Sequence, residues 1–202
     1  MFINKYLYIC RTPLNHYYMN LKTDFFLKAL YVIAWIIFVG LCINAGGLIV
    51  NSYVTLFINP EASAKFWGGM ELYPLYTFNQ SHFVTFVSLL IIVSILKSIL
   101  FYLIINLFHK KKLNLSSPFN ETLGKHIFLI SYLAFGIGLF SYWGDNFSNW
   151  LHSISNGNLS LSIQDIKFEG ADVWLFMGVI LIIFAMIFKK GIEIQSENDL
   201  TV

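Results

Sequence analysis

Four long apolar runs, separated by short polar or aromatic segments, make up most of the chain. The clearest covers residues 82–108, HFVTFVSLLIIVSILKSILFYLIINLF, and contains neither Gly nor Pro to interrupt a helix. A bilayer core about 30 Å thick needs about 20 helical residues at 1.5 Å each, so this run is long enough to cross it. The other runs place spans at about 27–57, 126–143 and 172–190. The expected fold is therefore all-α: an integral membrane four-helix bundle, forming one four-span domain over residues 21–202. Residues 1–20 lack an apolar core of signal-peptide length and read as a disordered tail or a misassigned start, with Met19 as the alternative start. Residues 191–202, GIEIQSENDLTV, form a polar tail too short for a domain.

The first span is longer than a bilayer needs, which predicts tilt or a helix that projects beyond the membrane. It contains Asn44-Ala45-Gly46-Gly47, which reads either as a packing notch or as a hinge or small polar pocket beside Asn44. Ala134 and Gly138, four apart on one face, predict a close helix contact. Asn59-Pro60-Glu61 reads as a helix start, with the helix ending near Trp67 at Gly68-Gly69. Trp67, Tyr73, Tyr76 and Phe78 make this loop an interfacial lid. In the loop after the third span, residues 146–154 predict a second short interfacial helix, dipping Phe147, Trp150 and Leu151 into the headgroups. Asn156-Gly157 predicts a turn, and Ser160 to Phe168 a short strand. Pro118 and Asn120 predict a turn and a new helix start in the middle loop.

Composition supports lipid as the solvent. The chain is 57% hydrophobic and 12% charged, half the charge of an ordinary soluble domain at about 25%. Ten of its Lys and Arg residues lie in the N-terminal arm, the middle loop (Lys110, Lys111, Lys112, Lys125) and the last helix end (Lys189, Lys190), against two, Lys65 and Lys167, in the other loops. The positive-inside rule then puts both termini and the middle loop in the cytoplasm. The net charge of +2 gives no reason to expect direct nucleic-acid binding, because the cations flank apolar runs. Cys10 and Cys42 are too few and too misplaced for a disulfide framework or a zinc site, and no metal or cofactor is expected.

Lys97 is the sharpest candidate for chemistry. A lysine at the centre of a span costs roughly 2.5–3.5 kcal/mol on insertion scales, and an intramembrane charge is a functional candidate by default. Two readings stand: an ion path or partner contact, or a structural lysine that snorkels toward the inner headgroups or caps a neighbouring helix. Asn44, Ser131 and Tyr132 are its candidate partners. No acid lies in an apolar run, which argues against a proton relay. His82, His109, His126 and His152 are each solitary at membrane edges. No nucleophile–base order or phosphate loop is visible, so the chain is not read as an enzyme.

The stretches LCINAGGLIVNSYVTLFINPEA, LKSILFYLIINLF and ISYLAFGIGL, and above all the ending FKKGIEIQSENDLTV, resemble the bacterial membrane family catalogued as domain of unknown function 2975. The resemblance covers about Leu21 to Val202. It implies a four-span protein of the bacterial inner membrane with no established enzymatic activity. It also implies a partner, because genes of this family commonly neighbour one for a very small helix-turn-helix regulator. Glu193, Gln195, Glu197, Asn198 and Asp199 would then offer an acidic, polar edge to a basic regulator, with Lys110–Lys112, Lys189 and Lys190 at the membrane interface. A small transporter or channel-like protein using Lys97 and Asn44 is the alternative, and self-association is left open.

Overall fold

The structure is a computed structural model that describes residues 12–109, 121–155, 168 and 170–199, with side chains over 25–108, 121–155, 168 and 170–197. Among the described residues there are five α-helices: α1 (Thr12–Phe57), α2 (Tyr73–Phe78), α3 (Gln80–His109), α4 (Glu121–Ile154) and α5 (Ala171–Asp199). Four of them are long and apolar enough to cross a membrane: residues Phe25–Phe57, Gln80–Phe108, Glu121–Ile154 and Ala171–Glu197. Among the described residues there is no strand, only an isolated bridge between Phe66 and Met70. The long helices alternate in direction. Their ends at Phe57, Gln80, Ile154 and Ala171 form a lid end, and the opposite ends form a basic end. Successive long helices pack on one another: α1 flanks α3, α3 flanks α4, and α4 and α5 share the largest interface.

The α4–α5 interface depends on missing side chains. A Cβ on Gly138 would lie 2.6 Å from the backbone N of Leu175, and one on Gly178 would lie 2.7 Å from both N and Cα of Phe135. Each helix thus sets its backbone against the other at a glycine, as helices in lipid do when packing rather than water drives their association. The predicted Ala134–Gly138 contact is present, with Ala134 and Gly138 both buried. Gly178 on the facing helix is a contributor that the sequence reading missed.

The first loop is a folded lid. Asn59 caps a 3-10 turn over Pro60–Lys65, its side chain accepting the Glu61 N–H at 2.9 Å. The predicted start holds, but the chain extends at Phe66 before a second turn over Trp67–Gly69, with Gly68 and Gly69 at φ 75° and 79°. That left-handed pair suits glycine, and it reverses the chain so that the Phe66 N–H reaches the Met70 carbonyl at 2.8 Å. Phe66, Leu72 and Leu75 become fully buried against Phe83 and Phe86 of α3. The surplus length of α1 lies beneath this lid, where Leu48, Ser52 and Thr55 are buried at helical spacing.

Three segments differ from expectation. Residues 146–154 are helical, but as the last turns of α4 rather than a separate interfacial helix. No proline interrupts the run, and the Asn146 amide donates to the Tyr142 carbonyl at 3.0 Å, which continues the helix. Residues 191–199 continue α5 instead of leaving it as a loose polar tail, with Lys190 paired to Glu193 at 3.1 Å. At the start, α1 is already helical from Thr12. The expected turn at Asn156-Gly157, the strand from Ser160 except for Phe168, the turn at Pro118 and the first 11 residues lie outside the described residues.

Candidate functional site

Asn44 is the centre of a clasp between lid and bundle. The Trp67 indole N–H donates to Asn44 Oδ1 at 3.0 Å, and Asn44 Nδ2 donates to Ser94 Oγ of α3 at 3.0 Å. Ser98 Oγ in turn donates to the Ser94 carbonyl at 2.9 Å. The indole lies flat over Gly47, and a Cβ there would overlap its ring carbons. Gly47 is thus a packing notch for the indole, and Asn44 is hydrogen-bonded to both the lid and α3. An amide in hydrocarbon without partners costs several kcal/mol, which explains why both ends of this side chain are occupied.

Phe168, the described residue shortly before α5, is seated by the same device. Phe168 lies on Gly144, where a Cβ would come within 2.5 Å of its ring, and it meets Phe86 edge-on with centroids 5.7 Å apart. A polar side chain again holds the segment, because the Phe168 N–H donates to Asp145 Oδ1 at 3.0 Å. The two fastenings meet on α3, where Phe83 meets Phe66 of the lid and Phe86 meets Phe168. His82 joins them at the rim, edge-on to Trp150 at 5.2 Å and stacked on Phe78 at 6.3 Å. None of these pairs follows from sequence spacing. Only the small residues Gly47 and Gly144, each near a polar side chain, signal them.

These contacts also locate Lys97 within the bundle. On α3 it lies about one turn from Ser94 toward the basic end, so the Asn44–Ser94 bond is on its lid side. Its half-buried ammonium stands 5.7 Å from the centroid of Trp174, near the lid end of α5. The ring contact is with a neighbouring helix. A cation over an indole is worth about 0.5–2 kcal/mol, and that offsets part of the cost of the charge. Of the other expected partners, Ser131 is buried with its hydroxyl donating to Phe128 O at 2.7 Å, and Tyr132 is exposed.

At the basic end, Lys189 and Lys190 are exposed on α5, whereas Lys110, Lys111 and Lys112 lie outside the described residues. Glu193 and Glu197 are exposed and four apart on one helix face, with Gln195 half-buried between them. Asn198 and Asp199 end the helix, and their side chains lie outside the described residues. The first turn of this extension is anchored: a Cβ on Gly124 would lie 3.2 Å from Ile192 Cδ1. Among the described residues no three His, Cys, Asp or Glu side chains gather into a cluster able to hold a metal ion.

No curated protein and no solved structure matches the chain. A family profile does match, over residues 55–202. The match takes in the lid, α3, α4, α5 and the terminal polar helix, and leaves out the Asn44-Gly47 segment that carried part of the resemblance. The profile spans well over half of the chain, and the chain therefore belongs to the family described as Protein of unknown function (DUF2975).

Proposed function

We propose that the chain is a regulatory protein of the bacterial inner membrane, with both termini and the middle loop in the cytoplasm, whose terminal helix holds or releases a small basic helix-turn-helix regulator. The observation that carries this reading is the continuation of α5 to Asp199, past the end of its apolar run at Phe188. A polar tail ordered as a helix presents Glu193 and Glu197 on one fixed face, which suits a basic partner better than a loose segment does, since little ordering cost is added on binding. The lysines clustered at the same end are the cationic side of the positive-inside pattern. The clasped lid at the opposite end is the element that would register a condition outside the cell. The reading gives the chain no catalytic step.

Co-purification with the protein encoded by the neighbouring gene tests it. The wild-type chain retains that protein. Glu193→Lys with Glu197→Lys cuts recovery by about tenfold or more, the ratio that about 1.4 kcal/mol represents. Charge reversal leaves the Ile192 anchor intact, so it separates binding from helix order. Equal recovery with the double variant, and with residues 191–202 deleted, removes the terminal helix from the mechanism.

The transporter reading is favoured by one arrangement, the Asn44–Ser94–Ser98 chain of polar groups, with Ser94 one turn from Lys97 and Ser98 next to it in sequence. Lys97→Met separates the two. On the regulatory reading it leaves partner recovery unchanged and lowers stability by about 1 kcal/mol, from the lost contact with Trp174. Loss of a solute flux in proteoliposomes with the fold intact would favour transport.

A further inference from the structure

A groove of 590 Å³ opens between the last turns of α1 and the first turn of the lid, lined by Asn51, Asn59, Glu61, Ala62, Lys65 and Tyr73 among others. Its volume is within the range of about 300–1,000 Å³ typical of small-molecule sites. Asn51 lies one turn above Gly47 toward the lid, so the groove sits at the lid end of α1, where the apolar span to Phe57 meets the polar turn Pro60–Lys65 and a headgroup layer is expected. Beside it α1 exposes Val50, Tyr53 and Phe57, apolar side chains open to lipid.

The charges in the groove are of opposite sign and uncommitted. Glu61 and Lys65 are both exposed, and neither forms an ion pair with a described residue. Asn51 uses its amide N–H on the Gly47 carbonyl at 3.2 Å, and Asn59 uses its oxygen on the Glu61 N–H, which fixes both side chains as walls. Ala62 and Ala64 keep the floor low. We propose that this groove binds a zwitterionic aminophosphate group, the headgroup chemistry of phosphatidylethanolamine. Its ammonium meets the Glu61 carboxylate, and its phosphate meets the Lys65 ammonium and the Tyr73 hydroxyl. An anionic headgroup such as phosphatidylglycerol gains the lysine but faces an unpaired carboxylate, so the pair selects against it. The same lid residues continue through Phe66 to Trp67, so an occupied groove would brace the lid against α1 beside its clasp.

Native mass spectrometry of the full chain in detergent, with equal amounts of phosphatidylethanolamine and phosphatidylglycerol, tests the proposal. The wild-type chain retains one phosphatidylethanolamine in preference to phosphatidylglycerol by about tenfold, as a charge-assisted contact implies. Glu61→Gln brings the two lipids to near-equal retention, and Lys65→Gln lowers retention of both. Both side chains are exposed, and unchanged helicity by circular dichroism confirms that the variants fold. Adding glycerophosphoethanolamine separates the sources: displacement of the lipid shows that the free headgroup suffices, and no displacement shows that the acyl chains are required. No lipid preference in the wild-type chain, or a preference unchanged in Glu61→Gln, overturns the proposal.

Discussion

Gly47→Val releases the lid from the bundle, whereas Gly46→Val, its neighbour, leaves it in place. A side chain at Gly47 occupies the position of the Trp67 indole, whose ring carbons would overlap even a Cβ, while nothing lies within 4 Å of a Cβ on Gly46. Overpacking of this kind costs about 1–3 kcal/mol. The displaced indole also gives up its hydrogen bond to Asn44, and a polar group left unsatisfied adds about 1–3 kcal/mol. The sum, about 3 kcal/mol or more, approaches the whole local stability of a segment that short 3-10 turns and one six-residue helix hold together. Limited proteolysis within residues 59–79 reads it: rapid cleavage in Gly47→Val and resistance in wild type and Gly46→Val. Trp67→Phe keeps the packing and loses only the donor, and it should fall between them at about 1 kcal/mol.

Gly178→Val separates α4 from α5 and produces the largest loss of stability in the spanning region. The added Cβ would stand 2.7 Å from the backbone of Phe135, and a backbone in the middle of a helix cannot rotate away as a side-chain tip can. The helices must move apart, and with them go the contacts of Gly138 with Leu175 and the burial of Ala134 and Ala185. Helix association in lipid has no hydrophobic drive to replace lost packing, so a cost above about 3 kcal/mol is expected. Gly136→Val is the control, since a Cβ on Gly136 meets nothing within 4 Å, and its effect should stay within about 0.5 kcal/mol. Thermal unfolding in detergent compares the three chains. Equal losses at 136 and 178 would mean that helix propensity, not the interface, sets the effect.

The four spans were legible because uninterrupted apolar length is a strong signal, and the lid's first turn because Asn59 and Pro60 punctuate it locally. The surroundings of Lys97 were not. It stands near the middle of a 30-residue helix, but its ring contact, Trp174, lies on α5, and the run itself does not encode which helix faces it. Asn44 could be singled out as a polar group needing a partner, yet the partner, Trp67, lies 23 residues away, beyond the end of α1 and the 3-10 turn Pro60–Lys65. Trp67 and Phe168 also had ready explanations as interface anchor and strand residue, and these hid the glycine seats beneath them. Gly178 sits in an apolar run with no polar neighbour to mark it. The terminal helix was missed because its polar composition resembles a tail, while its continuation from α5 costs no new helix nucleus.

The four-span arrangement with a lid on one side and the cationic clusters on the other is tested most directly by labelling single cysteines in intact cells. In a chain with Cys10→Ser and Cys42→Ser, Asn158→Cys should react with a membrane-impermeant maleimide. Phe119→Cys should react only after the membrane is opened. Reaction of both positions from the same side would contradict the arrangement, and with it the placement of the terminal helix beside a cytoplasmic partner.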